Sequence, residues 1–204
     1  MPSIGITGGI STGKTAFCDC LRELIPNASF FDADEAAHQL VEDDSDVRKE
    51  LIAEFGPGIY SSAGNLNRAR LRSIILKSTE KKAALEKILH PRIRRQWSDE
   101  AQTHRQPLDF FFADIPLLYE TGGESLCDRV VLVACSPDVQ RSRLLRRGAI
   151  DPATAEKMIK TQMPIEEKMQ RADHVVWNNG GRLVLLEQAR LLVDLWRQDK
   201  WAQE

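Results

Sequence analysis

The chain has 204 residues, 42% of them hydrophobic and 28% charged, with a formal net charge of −2 at neutral pH. That length supports one domain, or one core carrying an insertion. The near-neutral balance gives no general attraction for a polynucleotide and no apolar run approaches the ~20 residues of a membrane helix, so neither a nucleic-acid nor a membrane partner is expected.

The alternating run Ser3-Ile4-Gly5-Ile6-Thr7 predicts a first strand, and because the chain enters it at once no signal peptide is expected. It leads straight into Gly8-Gly9-Ile10-Ser11-Thr12-Gly13-Lys14-Thr15, which satisfies G-x-x-x-x-G-K-[ST] at every fixed position. Apolar positions at 17, 18, 21 and 24 then predict a helix. Strand, loop, helix is the order this chemistry needs. The glycines let the backbone turn sharply, so that amides of the segment Gly9, Ile10, Ser11, Thr12, Gly13, Lys14 and Thr15 can face phosphate oxygens. Lys14 brings positive charge to the β- and γ-phosphates, and the Thr15 hydroxyl can take one place on Mg²⁺. The helix N-terminus adds a favourable dipole. A nucleoside triphosphate with magnesium is the expected ligand.

Ala28-Ser29-Phe30-Phe31 predicts a second strand ending in Asp32-Ala33-Asp34. With a strand period of two, both carboxylates leave the same face. One, Asp32, can order magnesium, while Asp34 can accept a hydroxyl proton during attack on the γ-phosphorus. The alternative is that both cap a helix beginning near Glu35. The stretch to about residue 105 reads as helical. A helix over 46–55 stops at Gly56-Pro57-Gly58, Asn67 caps another through Leu76, and Ser78 or Thr79 caps a third through Leu89. His90-Pro91 is expected to end that helix, with Pro91 opening the next. Arg68, Arg70, Arg72, Arg92, Arg94 and Arg95 give this block positive charge for an anionic acceptor, although most read as surface residues. His38 and His90 read as structural.

Leu108 to Asp114 predicts a buried strand ending in a carboxylate, and Arg129 to Ala134 a central parallel strand. Ser136-Pro137 and Asp151-Pro152 each pair an N-cap with proline at the first helical position. His174 to Trp177 is the last strand, followed by Asn178-Asn179-Gly180-Gly181 and an amphipathic helix from about Leu183 to Trp196. Between them, Arg143 and Arg147 share one helical face, with Arg146 beside them. Such guanidinium groups suit the charge that spreads over a transferring phosphoryl, and the segment reads as a closing lid. Cys18, Cys20, Cys127 and Cys135 lack zinc spacing and are expected as free thiols in a reducing cytosol. Trp97, Trp177, Trp196 and Trp201 are expected to pack.

Strands alternating with helices imply an α/β fold, a parallel sheet covered on both faces. Ligands in such sheets lie beyond the carboxyl ends of the strands. That edge gathers the glycine loop, Asp32, Asp34, Asp114 through Glu120, and Asn178.

Taken in order, the motifs resemble the dephospho-CoA kinase family over essentially the whole chain. The matching pieces are Thr7-Gly8-Gly9-Ile10, Asp32-Ala33-Asp34 with His38, Leu89-His90-Pro91, and Ile115-Pro116-Leu117-Leu118-Tyr119-Glu120. Gln140 with Arg143 and Arg147, Gln162 with Glu167-Lys168, and Ala172-Asp173 leading to Asn178 and Gly180 complete the set. The resemblance implies a P-loop core over 1–34 and 107–204, with a lid at about 141–170 and an inserted helical acceptor-binding domain over 35–106. It also implies transfer of the ATP γ-phosphate to the ribose 3′-hydroxyl of dephospho-CoA. By position, Lys14 and Thr15 hold phosphate and magnesium, Asp34 is the base, and Arg143 and Arg147 reach the transferring phosphate. Asn178 lies near the adenine. The acceptor rests among Asp32, Asp34, His38, His90, Arg94, Pro116 and Leu117. The chain departs from the family at Ser11 and Thr12, where glycine and serine are usual; Ser11 is strained if position 11 takes a positive φ. The rival readings are another small-molecule P-loop kinase, or a non-catalytic nucleotide switch, which would typically carry an N-K-x-D element that this chain lacks.

Overall fold

The computed structural model describes residues 3–62, 64–103, 110–148 and 150–198. The described residues fall into two compact units, those within 1–32 and 100–204 and those within 33–99.

The first unit is built on five parallel strands, β1 (Ser3–Gly8), β2 (Ser29–Asp32), β3 (Phe111–Asp114), β4 (Arg129–Ala134) and β5 (His174–Trp177). Their order is β2-β3-β1-β4-β5. The glycine-loop strand is therefore central, and β1 is buried at every residue. A parallel sheet with helices on its faces has to read as continuous apolar runs, as β3 and β4 do. The strand expected over 108–114 is seen from Phe111; Leu108 and Asp109 lie outside the described residues, as does Trp201. α1 (Lys14–Leu24) and α9 (Arg182–Gln198) bury Phe17, Leu21, Val193 and Trp196 against Ile4, Ile6, Phe112 and Val131. Three more helices, α6 (Pro137–Gly148), α7 (Pro152–Lys160) and α8 (Ile165–Arg171), span the segment expected as a lid. α7 has the expected start, Asp151 accepting from the Thr154 amide with Pro152 at the first helical position.

The second unit is helical: α2 (Ala33–Asp43), α3 (Ser45–Phe55), α4 (Arg68–Ile75) and the portion of α5 (Thr79–Thr103) before residue 100. Asn67 caps α4 through the Arg70 amide, as its sequence position predicts. Proline does not break α5 as expected: Pro91 sits inside one continuous helix. The reason is tertiary. Leu85, Ile88 and Leu89 before the proline and Ile93 after it all pack into one cluster around Val47, Leu51 and Phe55. That burial outweighs the ~3 kcal/mol cost of an interior proline. Trp177 also departs from expectation, being 41% exposed, whereas Trp97 and Trp196 are buried. The four cysteines are free thiols, three buried and Cys127 partly so. Among the described residues no helix is long and apolar enough to cross a membrane.

Gly5 has no side chain because the inner face of β1 has no room for one. A Cβ there would lie 2.5 Å from Cys127 Sγ and 3.1 Å from Leu118 Cδ2. Gly5→Ala should therefore lose about 1–3 kcal/mol of stability in urea unfolding. Adding Cys127→Ala should recover part of it; additive losses in the double variant would refute this packing account.

Candidate active site

Gly8 closes β1 and begins the loop, and its α-carbon is pressed against a neighbour: a Cβ would lie 2.6 Å from the Val133 carbonyl oxygen and 2.7 Å from Thr12 Oγ1. From there the chain turns through Ser11 at φ 59° and Gly13 at φ 98° into α1. Ser11 is the one non-glycine residue with positive φ among those described. The strain anticipated for a serine at this position is present, worth about 1–2 kcal/mol.

The loop's polar groups divide into two sets. The Thr12 amide and hydroxyl both donate to the Gly9 carbonyl, at 3.2 and 2.9 Å. The Ile10 amide donates to Gln162 Oε1 at 2.7 Å, and the Ile10 carbonyl accepts from Gln140 Nε2 at 2.8 Å. The Thr12 carbonyl accepts from Asn178 Nδ2 at 2.8 Å and Arg143 Nη1 at 3.1 Å. The amides of Ser11, Gly13, Lys14 and Thr15 have no protein acceptor among the described residues. Four main-chain donors around a left-handed turn, opening a helix, make a concavity suited to an anion. A side chain at Gly13 would collide with Asn178 Nδ2, so glycine is required there for space as well as for φ.

Lys14 pairs with Asp114, the last residue of β3, and both side chains are largely buried. In the sheet Asp114 lies opposite Ile6 on one side and Asp32 on the other, so two carboxylates end adjacent strands beside the loop. Cys18 Sγ, one helical turn beyond Lys14, lies 3.5 Å from the second Asp114 oxygen. Burial, reinforced by the Asp114 charge, pushes the Cys18 thiol pKa well up, so it stays protonated and donates. Among the described residues no group of three or more His, Cys, Asp or Glu is arranged to hold a metal. Magnesium in phosphate sites draws most of its ligands from phosphate and water, and Thr15 with Asp114 or Asp32 fits such a demand.

Behind the loop lies a second network. Glu120 accepts from the Met163 amide at 2.9 Å and pairs with Lys168 at 2.8 Å; Lys168 is wholly buried. Thr7 Oγ1 donates to the Pro116 carbonyl at 3.2 Å. Glu120 is thus occupied by protein partners, which leaves Asp114 as the carboxylate at Lys14.

The other candidate residues divide as follows. Asp32 ends β2, but Asp34 lies in the first turn of α2, so the strand-period argument for their shared face does not apply. Both stand at the start of a helix because α2 begins at Ala33, two residues before the expected Glu35. Arg143 and Asn178 meet the loop from outside, whereas Arg147 is exposed on α6. In the helical unit, His38 is exposed on α2, and His90 and Arg94 line a hollow of about 410 Å³ on α5 with Glu86, Lys87 and Pro91. Burial lowers the His90 pKa, with the Arg94 charge acting in the same direction against Glu86, so the imidazole is neutral at pH 7. The roles of Gln140 and Gln162 leave no chemical signature in a sequence, because an uncharged amide gripping a backbone has no spacing rule.

Ser11 carries two costs at once, a left-handed φ and a buried hydroxyl with no hydrogen-bond partner. Ser11→Gly should raise unfolding stability by about 1–2 kcal/mol. A lower midpoint in thermal unfolding would contradict that assignment of strain.

Residues 2–183 match the family model described as dephospho-CoA kinase. The chain is 36% identical over 195 residues to a dephospho-CoA kinase of Geobacillus kaustophilus, covering 95% of this chain and 96% of that one. A crystal structure from Thermus thermophilus superposes with a TM-score of 0.82 at 30% identity, over 97% and 98% of the two chains. A Campylobacter jejuni dephospho-CoA kinase structure shares the fold, with a TM-score of 0.72 at 22% identity over 94% and 95%. A parallel five-stranded sheet, a complete phosphate loop on its central strand and these likenesses agree: the chain belongs to the dephospho-CoA kinase family.

Proposed function

We propose that this chain transfers the γ-phosphate of ATP to the ribose 3′-hydroxyl of dephospho-CoA, giving CoA and ADP. The observation that carries the reading is the set of four unpaired amides beside the Lys14–Asp114 pair, in a chain of this family. The phosphates lie on the Ser11, Gly13, Lys14 and Thr15 amides, with Gly9, Ile10 and Thr12 shaping the turn. Lys14 exchanges part of its bond to Asp114 for the β- and γ-oxygens. Thr15 and Asp32 or Asp114 would hold magnesium, directly or through water, and the ion would offset charge on the β- and γ-phosphates.

Asp34 accepts the proton of the 3′-hydroxyl as its oxygen attacks the γ-phosphorus in line, and ADP leaves. Arg143 and Arg147 spread positive charge over the equatorial oxygens, Arg147 moving in from its exposed position. Asn178 adjoins the purine as well as the loop. Asp32, His38, His90, Arg94, Pro116 and Leu117 bind the acceptor. Lys87 and Arg94 outweigh Glu86 around the α5 hollow, and that positive balance supports an anionic portion of it there. The substrates are small molecules, not nucleic acid, and the buried free thiols suit the cytoplasm.

An ADP-release assay over dephospho-CoA, adenosine and nucleoside monophosphates should respond to the first alone; equal turnover of a nucleotide acceptor would reject the substrate. Chelation of magnesium should abolish that turnover. Asp34→Asn should cut kcat by a factor on the order of 100 or more with ATP affinity within threefold. Unchanged kcat would remove Asp34 as base.

A further inference from the structure

A trans peptide bond holds its C=O and N–H on opposite sides, so whatever grips the carbonyl also aims the amide of the next residue. No peptide bond among the described residues is cis. The Ile10 carbonyl shares a plane with the Ser11 amide, and the Thr12 carbonyl with the Gly13 amide. Each carbonyl is held from outside the loop, Ile10 by Gln140 and Thr12 by Arg143 with Asn178. The plane before Ser11 is therefore held by Gln140 and the plane after it by the Thr12 amide, which donates to the Gly9 carbonyl at 3.2 Å, and Ser11 stands at φ 59° between the two.

We propose that Gln140 is a positioning residue for nucleotide binding: its amide, by holding the Ile10 carbonyl, turns the Ser11 N–H into the phosphate cradle and maintains the left-handed serine. Gln140 is itself fixed, 9% exposed on α6 with its main-chain amide donating to the Ser136 carbonyl at 2.9 Å. Gly9 leaves the space through which it reaches Ile10, since a Cβ at residue 9 would lie 2.8 Å from Gln140 Nε2. Gln162 completes the arrangement by taking the Ile10 N–H, which fixes the preceding plane. The inference rests on the reading of residues 8–15 as the nucleotide's phosphate site.

Gln140→Met keeps the side chain's length and removes the donor. ADP binding by calorimetry should weaken about tenfold, the loss of one well-aligned amide at a charged ligand. The Michaelis constant for ATP should rise with it, while that for dephospho-CoA stays within twofold. In a Ser11→Gly background the same substitution should cost threefold or less, because glycine needs no restraint to keep a positive φ. A general packing lesion would give the same factor in both backgrounds. Should Gln140→Met fail to fold, Gly9→Ala displaces the same amide without altering α6 and should weaken ADP alike. Wild-type ADP affinity in both Gln140→Met and Gly9→Ala, or equal losses with serine and glycine at residue 11, overturns the proposal. Lys14→Ala serves as the control. If it too binds ADP normally, the phosphate-loop reading itself has failed; if it loses binding while Gln140→Met does not, only the role of Gln140 has.

Discussion

A backbone amide has no side chain to steer it, so a loop that binds anions through its main chain must have its peptide planes held from behind. In this protein the holding is done by amides and a guanidinium from α6, the turn after α7 and the end of β5. Gln140 and Arg143 stand on α6, which packs against α7, and Asn178 is tied to the end of β4 by its own amide, which donates to the Ala134 carbonyl at 2.7 Å. Gly5, Gly8 and Gly13 contribute by absence: each leaves room for an atom that a side chain would displace. Preorganisation of this kind lowers the entropy lost when phosphate binds, because the donors already converge.

Charge is handled with the same economy. Lys14 and Asp114 neutralise one another in a largely buried setting, and the protonated Cys18 thiol takes the remaining carboxylate oxygen. Neither ion is left desolvated and alone, a state that costs several kcal/mol. Lys168 and Glu120 solve the same problem where the post-β3 turn meets α8, and Glu120 also holds the Met163 amide next to Gln162. An ion pair too buried to add much stability can still fix the register of one segment against another. Its position one residue from a loop anchor fits that use.

Much of this was legible in the sequence. The glycine pattern, the strand before it, the carboxylates at strand ends and the Asn67 and Asp151 caps follow from local rules, and those rules hold because nothing tertiary opposes them. The failures share a cause. Pro91 was expected to stop a helix, but apolar residues on both sides of it belong to one cluster. Asp34 was assigned a strand's geometry, but the helix begins one residue after the strand ends. Arg143 and Asn178 are expected near the nucleotide; that each holds the Thr12 carbonyl depends on strand order and helix placement, which no local spacing encodes.

The proline inside α5 has an effect beyond its cost. Lacking an amide hydrogen, Pro91 leaves the Lys87 carbonyl, four residues earlier, without its helical donor. In the same stretch the Arg92 guanidinium donates to the Ile88 carbonyl at 2.7 Å. Lys87 and Pro91 both line the α5 hollow. The missing rung thus falls in the same stretch of α5 that shapes the hollow, where side chains of both charge signs, Glu86 beside Lys87 and Arg94, line a helix left one main-chain bond short.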